Sequence, residues 1–127
     1  MADLTISPVS VSLSGAAIAT KESFAGKSNI IITPTTAQSS LNFEDLFIVI
    51  ENSDTSTACT VTVKAGDDYS EVGIGDTATI TVATSSTKVI GGRKLESARF
   101  KNKKGCLVLG VSPSSACSVY AVMNPYP

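Results

Sequence analysis

The stretch Val61–Val82, VTVKAGDDYSEVGIGDTATITV, decides how the chain folds. Its two ends alternate with a period of two: Val61 and Val63 against Thr62 and Lys64, then Ile80 and Val82 against Thr79 and Thr81. A pleated strand sends successive side chains to opposite faces, so each end reads as a strand with one buried and one wet face. Between them lie Asp67, Asp68, Glu71 and Asp76 among Gly66, Gly73 and Gly75, which is either a chemical site or a turn. Glycine loops that cradle phosphate open a helix whose N-terminal amides face the anion, but here Gly73-Ile74-Gly75-Asp76 opens onto the strand-like TATITV. The carboxylates match no calcium-loop spacing, and calcium needs six to eight oxygens. Glycines that permit positive φ and an aspartate that caps the return account for each residue. The stretch is therefore expected to be two strands and their connection.

Working outward, the same period recurs. Val9, Val11 and Leu13 alternate with serines, and Cys59 extends the Val61 and Val63 face. NIIIT (Asn29–Thr33) and LFIVIEN (Leu46–Asn52) are unbroken apolar runs, expected to be strands covered on both faces. TKVIG, ESARFKN, CLVLGV and SVYAVMN supply further strands, separated by Pro34, Asp54–Thr57, Gly91-Gly92, Asn102–Gly105 and Pro113–Ser115. Only Ala16–Ala25 has room for a short helix. The expected fold is an all-β, antiparallel β-sandwich of jelly-roll-like type, with about eight or nine strands and little or no helix. Residues 1–14 form an extended arm or strand, 15–123 the sandwich and 124–127 a tail. The expected core comprises Val61, Val63, Ile80, Val82, Ala98, Phe100, Val108, Val119 and Ala121.

Composition narrows the function. A chain of 127 residues is one domain. It has 32 Ser and Thr, interleaved with Val, Ile and Ala, which suits wet β faces. There is no His, so the usual acid–base group of neutral pH and the commonest metal ligand are absent. An acyl-transfer triad cannot be assembled, and no Ser-Lys motif is present. Asp67 and Asp68 are adjacent, so on a strand they would face opposite ways. Cys59, Cys106 and Cys117 show no C-x-x-C spacing. Cys59 and Cys106 fall within apolar alternation, where cysteine behaves as a small hydrophobe, and a reducing cytoplasm fits them. The opening MADLTISPVSVSLSG has neither a basic start nor a long apolar segment, so no secretory signal is expected. No catalytic residue, cofactor or metal is expected, nor a nucleic-acid or membrane partner.

Charge is uneven along the chain. Glu44–Asp76 holds eight acids against Lys64, and Lys88–Lys104 seven bases against Glu96. Two unlike segments can cancel within one fold or dock on neighbours. The basic turn KNKKG (Lys101–Gly105) reads either as a solvated turn or as a cationic contact for an acidic partner.

The span VTVKAGDDYSEVGIGDTATITVATSSTKVIGGRKLESARFKNKKG (Val61–Gly105) resembles a pattern in small virion proteins of tailed bacteriophages. In that pattern an acidic Gly-rich loop precedes a Thr/Val strand and a TKVIG…LESARFKN segment. Here Gly92-Arg93-Lys94 stands before Leu95-Glu96-Ser97 as a small insertion that adds positive charge. The resemblance implies a capsid decoration (cement) or related head protein, all-β and trimeric. Such a protein is made in the bacterial cytoplasm and carried on the capsid exterior, where it binds the major capsid protein and its own copies. Arg93, Lys94, Arg99, Lys101, Lys103 and Lys104 are then contact candidates, as are Asp67, Asp68 and Glu71, together with Val9, Val11 and Tyr126 of the arm and tail. The alternative is a phage tail, baseplate or host-attachment module that binds carbohydrate or a receptor. With three Tyr and no Trp to stack on sugar rings, the composition favours the capsid role.

Overall fold

The computed structural model describes residues 3–10, 21–33, 46–64, 79–91, 106–112 and 116–123. These residues form ten strands and no helix: β1 (Asp3–Ile6), β2 (Val9–Ser10), β3 (Glu22–Ser23), β4 (Asn29–Ile32), β5 (Leu46–Asn52), β6 (Cys59–Val63), β7 (Ile80–Val82), β8 (Ser86–Gly91), β9 (Leu107–Ser112) and β10 (Cys117–Met123). The first sheet runs β1-β4-β9-β6-β7 and the second β2-β10-β5-β8, with β3 paired to β10 beyond the end of β2. The two ends of VTVKAGDDYSEVGIGDTATITV are neighbouring antiparallel strands, Val61 opposite Ile80, as the alternation requires. The acidic segment between them, 65–78, lies outside the described residues.

The fold is all-β and two-layered, but not wholly antiparallel. β1 lies parallel to β4, with Leu4 opposite Ile30, and β2 lies parallel to β10, with Val9 opposite Val122. The reason is the path of the N-terminal segment. It adds a strand to one sheet, turns at Ser7-Pro8 and adds a second to the other sheet. Proline has no N–H to give to a ladder, so the switch falls where no ladder bond is needed. At least this part of the expected arm belongs to its own domain. Glu22–Ser23, within the only stretch with room for a helix, is a strand instead. It ends in a turn in which Lys27 N donates to Phe24 O (3.1 Å), and Gly26 supplies the positive φ (75°) at its third position.

The interior lies between the sheets. Ile30, Ile32, Val61, Val63, Val82, Leu107 and Leu109 come from the first sheet, and Leu46, Ile48, Ile50, Val119, Ala121 and Met123 from the second; Phe24 closes the space from the end of β3. Of the expected core, Val61, Val63, Val82, Val119 and Ala121 are buried, while Ile80 is half-buried on the short edge strand β7. Val108 is also half-buried, because its neighbours Leu107 and Leu109 face inward opposite Ile32 and Ile30. Every residue of CLVLGV except the glycine is apolar, so its own pattern carried no parity. Ala98 and Phe100 lie outside the described residues.

The two unbroken apolar runs are not covered on both faces. In β5, Leu46, Ile48 and Ile50 are buried, while Phe47 is exposed and Val49 half-buried. In β4, Ile31 is half-buried between buried Ile30 and Ile32. Among the described residues each strand belongs to one of two layers, and no third layer covers either.

Candidate interaction surface

Of the expected contact residues, the described part contains Val9 alone. Val11, Asp67, Asp68, Glu71, Arg93, Lys94, Arg99, Lys101, Lys103, Lys104 and Tyr126 lie outside the described residues. Val9 sits on β2, half-buried and in register with Val122, and it belongs to a larger surface that sequence reasoning missed.

Cross-strand partners share a face, so the register of the second sheet can be read as rows. On its outer side one row runs Val9, Val122, Phe47, Gly91 and the next Tyr120, Val49, Val89. A third row, Ser23, Ser118, Glu51, Thr87, is polar. Phe47 is 40% exposed and Val89 63%, while Val9, Val49, Tyr120 and Val122 are half-buried. An antiparallel sheet in water normally shows polar side chains on this side. Here six apolar or aromatic residues adjoin, two of them exposed.

Gly91 fixes how Phe47 lies. A Cβ at Gly91 would stand 2.5 Å from Leu46 O and 2.9 Å from Phe47 Cδ1, so the aromatic ring lies against the bare backbone of the next strand. The polar row is held by one ion pair, in which Lys21 Nζ reaches both Glu51 carboxylate oxygens at 3.1 and 3.0 Å. That pair is partly exposed and contributes well under 1 kcal/mol. Its effect is to neutralise Glu51 within that row.

The strand β8, which ends the second sheet among the described residues, differs in kind from the face. Register puts Lys88 opposite inward-facing Ile50, yet the lysine is exposed. An inward-placed charge on an edge strand disfavours the addition of a further strand. Phe47 and Val89 thus stand exposed on the face, while Lys88 guards the strand beside them.

The opposite side of the molecule carries hydroxyls. Thr5, Thr60, Thr62, Thr79 and Thr81 lie on the outer side of the first sheet, with Asn29, Gly110 and Lys64 and the half-buried pair Ile31 and Val108. A shallow depression there is lined by Ser28, Asn29, Thr60, Thr62, Lys64 and Gly110. Lys64 lays its stem over Gly110, where an added Cβ would meet Cε at 2.7 Å. Among the described residues no group of three or more Asp, Glu or Cys could hold a metal ion, and no helix is long and apolar enough to cross a membrane.

The chain matches no protein-family model, no curated protein and no solved structure. The signal that could have found the face was present in the sequence. LFIVIEN and SVYAVM are apolar at both parities, and in a two-layer fold the second parity must look outward.

Proposed function

We infer that the protein is a structural virion protein of a tailed phage. In this reading it decorates the icosahedral capsid, docking on the outside of the major capsid protein lattice and stabilising it. The outward-facing apolar rows of the second sheet, with Phe47 and Val89 exposed, carry the reading: an adhesive protein needs a rigid scaffold and an apolar surface, and it needs no catalytic group. The resemblance of Val61–Gly105 to small virion proteins supplies the assembly. The patch is modest in size, so each contact is weak and the lattice gains its strength from many copies. Copies arranged as a trimer would meet both one another and the shell, and a closed ring of three requires two unlike patches per copy.

The experiment is to mix purified protein with undecorated heads and to measure occupancy and the temperature of DNA release. Heads should bind the protein and release DNA at a higher temperature. The variant Phe47→Ser/Val89→Thr should bind at least 10-fold more weakly, an apolar anchor being worth about 2 kcal/mol. No binding to heads, or binding confined to tails or to host-surface glycan, would replace this reading with the attachment module.

A further inference from the structure

Among the described residues the one buried polar side chain sits where the two sheets meet at one end of the sandwich. Asn52 closes β5 in the second sheet and is 1% exposed. Its Nδ2 lies within hydrogen-bond distance of three carbonyl oxygens, Thr57 (3.0 Å), Val82 (3.2 Å) and Ala83 (3.3 Å). Val82 belongs to the first sheet, so this amide bridges the layers. On its other side Oδ1 accepts from Asp54 N (3.1 Å) and from Cys117 Sγ (3.7 Å).

The register completes the picture. Cys117 is Asn52's partner within the second sheet, and Cys59 is Val82's partner within the first. The bridging amide therefore sets the two cysteines across the interior from each other, both fully or almost fully buried. The Cys59 thiol is pushed up to about 12, first by burial and then by the Cys117 thiol beside it. All three cysteines carry thiols rather than a disulfide. Cys106 cannot join them. β9 runs from Leu107 to Ser112, and it is Ser112 that pairs with Thr60, beside Cys59. Cys106 thus lies about 20 Å away at the other end of the sheet, where it contacts Thr33 Oγ1 at 3.4 Å. A disulfide needs Cα atoms within about 7 Å, which excludes both pairings with Cys106 and leaves Cys59 and Cys117, whose thiols adjoin.

We propose that Cys59 and Cys117 form a latent cross-link site, in which oxidation by a small disulfide such as glutathione disulfide joins the two sheets. One protein thiolate attacks the oxidant and releases one glutathione thiolate, leaving a mixed disulfide. The second protein thiolate then displaces the other glutathione and forms the Cys59–Cys117 bond. Two electrons pass to the oxidant, and the two thiol protons pass to the two departing thiolates. Each cysteine is the first residue of its strand, next to exposed Ser53 and Thr55–Ala58 on one side and half-buried Ala116 on the other. Opening of this end alone admits the oxidant, and the core strands need not separate. The bond would close a loop of about sixty residues, and a chain moving from a reducing to an oxidising medium would gain a tie between its layers.

The test uses the full chain, incubated with glutathione disulfide both in the folded state and during refolding from urea. Remaining thiols are counted by maleimide-polyethylene glycol labelling after denaturation, and linked peptides are identified by mass. The expected result is one remaining thiol, a Cys59–Cys117 linked peptide within one chain, and a melting temperature raised by roughly 10 °C and restored by dithiothreitol. Cys106→Ala should link as the natural chain does, and Cys117→Ala should not link at all. Three remaining thiols under both conditions would overturn the proposal. So would a link that involves Cys106 or joins two chains, or a linked protein that melts no higher than the reduced one.

Discussion

The two outer faces of this sandwich are built from the same strand geometry and differ in chemistry, most sharply between β6–β7 and β5–β8. On the first sheet the residues that look outward from β6 and β7 are Thr60, Thr62, Thr79 and Thr81, and a lysine stem covers the one bare glycine. On the second sheet those that look outward from β5, β8 and β10 include Phe47, Val49, Val89, Tyr120 and Val122, and an aromatic ring covers the bare glycine. Both glycines are covered by a neighbour's side chain, in one case by a stem that ends in an amine and in the other by an exposed aromatic ring. Threonine fits a pleated surface as well as valine does. The apolar choice on the second sheet is therefore not forced by strand formation. It is an added property of that face.

The strongest way to break this contrast lies within a single strand. In β5, Ile48 and Val49 are neighbours of like chemistry on opposite sides of the sheet. Ile48→Ala should lower unfolding stability by about 2–5 kcal/mol, since a fully buried aliphatic group is lost and a cavity remains. Val49→Thr should change it by about 0.5 kcal/mol or less, as surface substitutions do. Urea unfolding of both variants decides the matter. Comparable losses would mean that Val49 is as buried as Ile48 and that the second sheet has no free face.

Next in size is Gly91→Ala. The added methyl would meet Leu46 O at 2.5 Å, a backbone atom that cannot swing aside, and would displace the Phe47 ring. The expected cost is about 1–3 kcal/mol. At Gly110 the near atom is the flexible end of Lys64, so Gly110→Ala should cost much less. Equal costs at the two glycines would erase the distinction between a ring-covered and a lysine-covered backbone.

How much of this was legible in the sequence follows from the same pattern. Wherever polar and apolar residues alternate, as at Cys59–Lys64 and Thr79–Val82, the buried face was readable residue by residue. Wherever both parities are apolar, as in LFIVIEN and CLVLGV, the strand was readable but its inward side was not. The parity is then set by pairing with a distant strand, such as Leu109 with Ile30. The parallel additions of β1 and β2 left no mark, because a four-residue and a two-residue strand bear too few positions to show a period. Asn52 looked like the polar end of an apolar run, and only the folded chain brings it to Val82 and Cys117.

A smaller effect separates the interior from either face. The folded Cys59 thiol titrates near 12 against an ordinary 9.0, because burial and the adjacent Cys117 thiol favour its neutral form. A group whose pKa is raised on folding contributes stability that is fully present below its unfolded value and is lost above it. Stability should therefore hold to about pH 9 and then fall by on the order of 1 kcal/mol by pH 10. The measurement is the difference between the natural chain and Cys59→Ala across this window, which cancels the titration of lysines and tyrosines common to both. A difference that stays flat to pH 10 would place the thiol in contact with solvent.

The smallest single effect, that of a glycine, falls at the crossing between the sheets. β7 ends at Val82 in the hydroxyl-faced sheet, and β8 begins at Ser86 in the apolar-faced one. Between them Ser85 has φ 53°, and it is the only described residue other than glycine with positive φ. Its N–H donates to Asp54 O at 3.0 Å, which anchors the crossing to the turn after β5. That turn is itself held by Asp54 Oδ1, which accepts from Ser56 N (2.8 Å) and Thr57 N (3.1 Å). This short connection sets the register of β8 and so decides that Val89, and not Lys88, lies beside Val49 on the outer face. A left-handed conformation costs a non-glycine residue about 1 kcal/mol, and glycine removes that cost while adding freedom to the unfolded chain. Ser85→Gly should therefore raise stability by only about 0.5 kcal/mol, whereas Ser85→Val, branched at Cβ, should lower it by about 1–2 kcal/mol. Because the anchoring bond comes from the main chain, both variants keep it, and the difference between them isolates the backbone conformation. If glycine and valine at this position give equal urea midpoints, the crossing is not left-handed, and the register that places the apolar row on the outside loses its support.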